Sequence, residues 1–419
     1  MSDTFILKNV KIKESSEPSD ILISDGIIKK IENSISEDNA DIYDCTGLDA
    51  LPGLFDMHVH FRDPGFTHKE DIITGSQSAL AGGVTGVLCM PNTNPPVDNP
   101  ETLKYIYDKA KDTGVEVYQV ACITNGMSGN GLCDYEALKE AGAVALSDDG
   151  RPVENAEQMR KALELTNENG LLITSHCEDL AIINGGIMNK GEISEKLGVK
   201  GMDRVSEDMI TAREIILAES VGARIHIAHV STAESVEIIR QAKKKGIKVT
   251  CETCPHYFML TDEKLLARDA DFRMNPPLRT QSDVEAVIEG IIDGTIDCIV
   301  TDHAPHTAEE KAEFETAPNG VVGLETSLSA TLTALYHTGK VSLEKIVDMM
   351  SVKPRQLLGL EVKEIKEGAE ANIVLADLEK EWTVEPEKLH SKSHNTVFKG
   401  MTFKGKPVMT ITKGKIRNN

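Results

Sequence analysis

The chain has 419 residues, 40% apolar and 27% charged, enough for two or three domains or for one large barrel with an appendage. Its formal charge of −22 argues against nucleic acid or an anionic membrane as partner, since both select basic surfaces, but leaves room for a small anionic substrate that responds to local charge. No apolar stretch approaches the roughly 20 residues needed to span a bilayer, and the eight cysteines form no framework. The N-terminus, MSDTFILKNV, lacks the apolar core of a signal peptide, so the expected address is the cytoplasm with thiols reduced.

In chain order, residues 1–51 read as short strands, FILKNVKI and then DILISDGIIKKI, with Asp25-Gly26 as a hairpin turn. After Pro52-Gly53 comes LFDMHVHFRDPG, an apolar run ending in a charged turn, which reads as a buried strand entering a loop. Residues two apart on a strand share a face, so His58 and His60 point the same way. Two neutral imidazoles there make half of a transition-metal site, with Arg62 continuing the alternation as a fixed cation beside it. Taken alone, this pair is equally compatible with two surface histidines.

Short apolar runs then recur, each followed by a helical, charged or alanine-rich segment. They are LFDMHVH, VTGVLCM, VEVYQVACI, AVALSD, LLITSHC, RIHIAHV, IKVTCET and CIVTDH. Eight is the count for a (β/α)8 barrel, and residues 52–360 exceed the typical size of about 250 by a few insertions. The largest interruption is Asn184–Ser206. Residues 305–321, long and charged, read as a strand-end loop able to cover a bound substrate, the alternative being a helix packed permanently on the barrel. Near the end ANIVLADL, TVFKGMTFKGK and PVMTITKGKI alternate like strands. Paired with the N-terminal set, they give a small β-sandwich domain from residues 1–51 and 361–419. Cys251 and Cys254 form a CxxC in a strand-like run, away from any helix start that would make it reactive, and read as packing.

Polar residues gather where the runs end: His58 and His60, Asn92, Asp148-Asp149, His176, His229, and Asp302 to His306. In a barrel those ends meet at one mouth, where active sites are built. Here the sequence resembles the amidohydrolase superfamily, and within it the dihydroorotases of class I bacterial type. The resemblance is carried by HVHFRDPG (58–65), ALAGGVTGVLCMPNTNPPVDN (79–99), SDDG (147–150), TSHCED (174–179), AHVST (228–232), MNPPLR (274–279), TDHAPH (301–306) and GVVGLET (320–326). It implies that His58, His60 and Asp302 bind one metal and that His176 and His229 bind a second. Many relatives bridge the two metals with a modified lysine; Ala141–Gly150 contains none, so the family's aspartate variant applies, with Asp149 as the bridge. Choosing Asp149 over Asp148 rests on the resemblance, although neighbouring strand residues face opposite ways and only one should reach the centre.

The resemblance further implies that Arg62 and Asn92 hold a substrate carboxylate, that Asn275 and His306 add contacts, and that Gly323 adds backbone groups. Asp302 is the expected proton shuttle. The implied reaction is reversible hydrolysis of L-dihydroorotate to N-carbamoyl-L-aspartate in pyrimidine synthesis. Two Zn2+ per chain are expected, with other divalent transition metals able to use the same ligands. The rivals are another cyclic amidohydrolase, such as a hydantoinase or allantoinase, and an inactive scaffold for aspartate carbamoyltransferase. A homodimer and a complex with that transferase are the macromolecular partners the resemblance raises. Of the other histidines, His226 and His303 should face away from the mouth, His337 and His394 should lie on the surface, and His256 at the end of strand seven is unassigned.

Overall fold

Eight parallel strands form a barrel, the first of them built from the run that carries His58 and leads to His60, in the computed structural model, which describes residues 4–12 and 17–418. Five strands precede or enter the barrel: β1 (Thr4–Val10), β2 (Ser19–Ser24), β3 (Ile27–Glu32), β4 (Asp41–Asp44) and β5 (Asp49–Pro52). The barrel strands are β6 (Leu54–Val59), β7 (Val84–Cys89), β8 (Glu116–Ala121), β9 (Ala145–Leu146), β10 (Leu172–Ser175), β13 (Ile225–Ile227), β14 (Val249–Thr253) and β15 (Cys298–Ile299). Between β10 and β13 lie the two-residue strands β11 (Met188–Asn189) and β12 (Gly201–Met202), which pair only with each other across the excursion expected at 184–206. Each of the eight apolar runs contains one barrel strand.

The first and last barrel strands meet beyond the end of β15. Val59 bridges His303 in parallel, and the His60 N–H donates to the His303 carbonyl at 2.8 Å. Below that seam the buried Asp56 carboxylate accepts N–H groups from His58 on its own strand and from Thr301, both at 3.1 Å. Burial raises the Asp56 carboxyl to about 7 despite the hydrogen bond to Thr301. The two strand ends that carry site residues are therefore fastened to each other.

The helices between strands start and stop on local signals. Asp71 caps Ile72–Ala81, Asn99 followed by Pro100 opens Pro100–Ala110, and Asn155 and left-handed Gly170 bound Ala156–Asn169. The last of these buries Met159, Ala162, Leu163 and Thr166, the i, i+3, i+4, i+7 stripe that faces a core.

The chain ends meet, as the alternating patterns imply. The sheet β3-β2-β1-β4 packs against β18-β17-β16-β5, where β16 is Ile373–Thr383, β17 is Thr402–Thr412 and β18 is Lys415–Asn418. Phe5, Leu7, Ile21 and Ile23 share one core with Ile373, Leu375, Met409 and Ile411. Asp25 and Gly26 form the hairpin turn, both at positive φ. The C-terminal segment departs from expectation in one respect. TFKGKPVMTIT is one strand through Pro407, not two, because the proline sits opposite a register irregularity at Leu375/Ala376 where its missing N–H is tolerated. This sheet is also joined to the barrel: Thr410 donates to the Leu80 carbonyl at 2.8 Å, and Val374, Ala376 and Leu378 belong to the barrel's own core cluster.

Candidate active site

At the carboxyl ends of the barrel strands a cavity of about 280 Å³ opens, lined by His60, Arg62, Asn92, Asp149, His176, His229, Asn275, Asp302 and His306 among others. His58 lies just beneath. Strand alternation aims His58 and His60 into it, as expected, but the later residues arrive differently. Arg62, His229 and Asp302 have φ of 58°, 34° and 49°, in the left-handed region that L-residues avoid. The strand geometry ends before each of these residues, so alternation does not explain Arg62; the turned backbone delivers its side chain to the mouth.

The geometry of the cluster is tight. His60 Nε2 lies 3.0 Å from Asp302 Oδ1, and His58 Nε2 lies 3.7 Å from the same oxygen. Asp149 Oδ1 is 3.5 Å from His58 Nε2 and 3.7 Å from both His176 Nδ1 and His229 Nε2, while the two last nitrogens are 2.9 Å apart. His58, His60 and Asp302 form one triad whose ligand atoms fall within 4.8 Å of one another; His58, Asp149 and His229 form another. Asp148 points elsewhere, accepting hydrogen bonds from the Ile123 and Thr124 N–H groups and the Thr124 hydroxyl.

Electrostatics sharpen the picture. Burial opposes every charge here, yet His60 and the neighbouring imidazoles hold the Asp302 carboxyl at about 2, and His58 holds Asp149 well below the usual carboxylate range. Burial disfavours charge on His58 too, but Glu252 and Asp149 hold it well above an ordinary imidazole. His58 Nε2, Asp149 Oδ1 and His229 Nδ1 are all buried without a hydrogen-bond partner. Of these, His58 Nε2 and Asp149 Oδ1 face each other at 3.5 Å within the cluster, while His229 presents Nε2 to it; ligand atoms gathered this way are costly to bury unless a cation satisfies them, so the residues fit a divalent metal.

Comparison with known proteins decides the family. A dihydroorotase of Citrifermentans bemidjiense is 50% identical over 400 residues, covering 95% of this chain and 94% of that protein. A dihydroorotase of Acetivibrio thermocellus is 49% identical over 399 residues, with the same coverage. The chain belongs to the dihydroorotase family. A family model described as dihydro-orotase-like matches residues 49–235. The solved L-hydantoinase of Arthrobacter aurescens superposes with a TM-score of 0.88 at 25% identity, covering 100% of this chain and 96% of that one.

Within this dihydroorotase-family cavity, Arg62 and Asn92 flank the cluster. Arg62 donates from Nε to the Pro305 carbonyl at 3.3 Å, and burial lowers it only to about 10, so it stays cationic. Asn92 holds His60 Nδ1 at 2.8 Å. Asn275 donates to Glu178 at 2.7 Å, and Glu178 in turn lies 3.2 Å from His176. His306 contacts Arg62 and Lys69, and burial with those cations lowers it to about 3, which makes it a neutral imidazole.

Gly323 does not reach the cavity. Its N–H donates to His303 Nδ1 at 3.2 Å, and a Cβ there would press on Thr301; the wall is built by Asn319 and Gly320 instead. Residues 305–321 form successive turns and no helix, and two of their own side chains, Lys311 and Phe314, are buried.

His226 and His303 both face away from the mouth, His226 toward Thr250 and Glu252 and His303 toward Glu70 and Gly323. His394 is exposed, as expected. His337 departs from the surface expectation, since its ring meets the Leu378 carbonyl at 2.9 Å and it is half-buried. His256 is buried, and burial lowers it to about 4. Cys251 and Cys254 are free, and burial raises both thiols, against any redox role. Sequence reasoning missed Glu178 and Glu252, both buried against site histidines; a lone glutamate in the otherwise uncharged run VTCET was the available signal for the second.

Proposed function

We infer that the chain is a dihydroorotase, a cyclic amide hydrolase that interconverts L-dihydroorotate and N-carbamoyl-L-aspartate in pyrimidine synthesis. The observation that carries this reading is identity near one half with dihydroorotases over 95% of the chain. It is supported by a mouth that places a fixed guanidinium beside a histidine–aspartate cluster.

Dependence on a divalent metal follows from the family and from the buried triads. The finer reading is two zinc ions: His58, His60 and Asp302 would hold one, His176 and His229 the other, with Asp149 shared. Cations there would supply Lewis-acid polarisation of the scissile carbonyl and a water of lowered pKa. The remaining work belongs to the side chains. Arg62 binds the substrate carboxylate through paired N–H donors while Asn92 adds a neutral donor, and Asn275 and neutral His306 fix the ring's orientation. Asp302, ionised at neutral pH, takes a proton from the attacking water and delivers it to the leaving nitrogen; ring closure runs the same transfer in reverse.

The test is turnover of dihydroorotate by purified protein, with metal content measured on the same sample. Hydantoin and allantoin lack the carboxylate that Arg62 would bind and should be poor substrates. Faster turnover of either would move the chain to another activity of the superfamily, and no turnover by metal-replete protein would favour the scaffold reading.

A further inference from the structure

Glu252 on β14 is wholly buried, and the scheme above gives it no task. A carboxylate in a barrel interior persists only where partners satisfy it. Its Oε1 lies 2.6 Å from Nδ1 of His58. Its Oε2 lies 3.2 Å from Nε2 of His226, close enough for a charge contact though not aligned as a hydrogen bond, and His226 is itself held through Nδ1 by the Thr250 hydroxyl at 2.8 Å. Each oxygen of the Glu252 carboxyl thus faces an imidazole nitrogen.

An imidazole nitrogen facing a carboxylate at that distance carries the hydrogen. The other nitrogen of His58, Nε2, has no hydrogen-bond partner and faces Asp149 and Asp302. His58 is also the residue common to both triads of the cluster, so its orientation bears on each. His60, by contrast, belongs to one triad, and its Nδ1 meets the neutral amide of Asn92.

We propose that Glu252 is a positioning residue that locks His58 in the Nδ1–H tautomer and fixes its ring, so that the Nε2 lone pair is presented to the cation site, with His226 bracing the carboxylate from behind. This rests on the metal reading under Proposed function. Outer partners of this kind typically change metal affinity by roughly 10- to 100-fold.

The experiment strips metal from the wild-type protein, Glu252→Ala and Glu252→Gln, then titrates each with Zn2+ against a chelating indicator. In parallel, 15N NMR of labelled histidine reads the His58 tautomer in the metal-free proteins, at a pH high enough to leave the ring neutral. Wild type should show a single Nδ1–H tautomer. Glu252→Ala should bind Zn2+ roughly 10- to 100-fold more weakly and show mixed tautomers. Glu252→Gln keeps an acceptor oxygen and should recover the tautomer and most of the affinity, which a purely structural role would not require. At limiting metal kcat should fall in the alanine variant while KM holds, since Glu252 does not line the cavity. Zn2+ affinity in Glu252→Ala within threefold of wild type, or an unchanged tautomer, would overturn the proposal. If the alanine variant does not fold, loss of the Nδ1–H tautomer in Glu252→Gln with unchanged Zn2+ affinity overturns it equally. Failure of wild type to bind Zn2+ or Co2+ at all would instead defeat the metal reading on which it stands.

Discussion

Asp148 and Asp149 show how much one peptide unit decides. Asp148 caps the Ile123–Thr124 backbone, and Asp149 sits among the imidazoles. Asp149→Ala should therefore remove most of one metal equivalent and nearly all turnover, read by metal analysis and assay on one sample. Both metals retained with full activity would exclude it as the bridge. Asp302→Asn keeps the size and some ligand capacity of the side chain but cannot relay a proton. Both directions of the reaction should fall at least about a hundredfold while much of the metal stays bound; a loss under about tenfold would assign the proton to another group. Arg62→Met should lower kcat/KM by the equivalent of about 2–5 kcal/mol, the range for stripping a desolvated carboxylate of its charge partner. A KM that does not move would contradict its role in binding. At this scale the sequence was legible where periodicity governs, at His58 and His60. It named Arg62, His229 and Asp302 as well but not the left-handed backbone that delivers them, because no local pattern announces a turn that only the assembled mouth requires.

Among the elements, the loop at 305–321 carries its own pH dependence. Lys311, one of its own residues, is buried and donates from Nζ to the Arg273 and Pro318 carbonyls; burial lowers its ammonium to about 7, with nearby Asp271 only partly offsetting this. The packed loop thus prefers the neutral amine, whereas an opened loop would return the lysine to its ordinary value of 10.5. The sign follows directly. Below pH 7 both states are protonated and packing bears the full penalty; as pH rises from 7 towards 10.5 the packed loop sheds its proton first and gains stability. Hydrogen exchange in this segment, corrected for the intrinsic rate, should slow between pH 7 and 9, and Lys311→Met should flatten that trend. An uncorrected slope identical in the variant would show that the lysine does not govern opening. A substrate analogue should add protection here, since Asn319 and Gly320 line the cavity. The eight strands were readable because each is a short apolar run followed by a helix signal. The loop was readable as a loop, but not what holds it, Phe314 and Lys311 against distant backbone, a tertiary arrangement absent from local composition.

As a whole molecule, the sandwich and the barrel are not independent. They share core residues Val374, Ala376 and Leu378, and the single tryptophan, Trp382, stands at their seam, its indole N–H directed at Ser329 Oγ (3.1 Å) and the Gly405 carbonyl (3.3 Å). Thermal unfolding followed by tryptophan fluorescence should coincide with far-UV circular dichroism of the barrel; an earlier fluorescence transition would mean that the sandwich lets go first. Arg355 offers a second check. It is fully buried, pairs with Glu116 at 2.7 Å and lies over the Phe55 ring, so Arg355→Met should destabilise the fold by about 3 kcal/mol, measured by denaturant titration. All eight cysteines are free and buried, Cys45 in the sandwich and the rest spread through the barrel. The native molecule should consequently be invisible to an alkylating reagent, and only chains that have opened can react. Partial alkylation followed by mass spectrometry would then sort the sample into untouched molecules and molecules carrying the full complement of adducts, turning the thiols into a census of how often the whole structure comes apart.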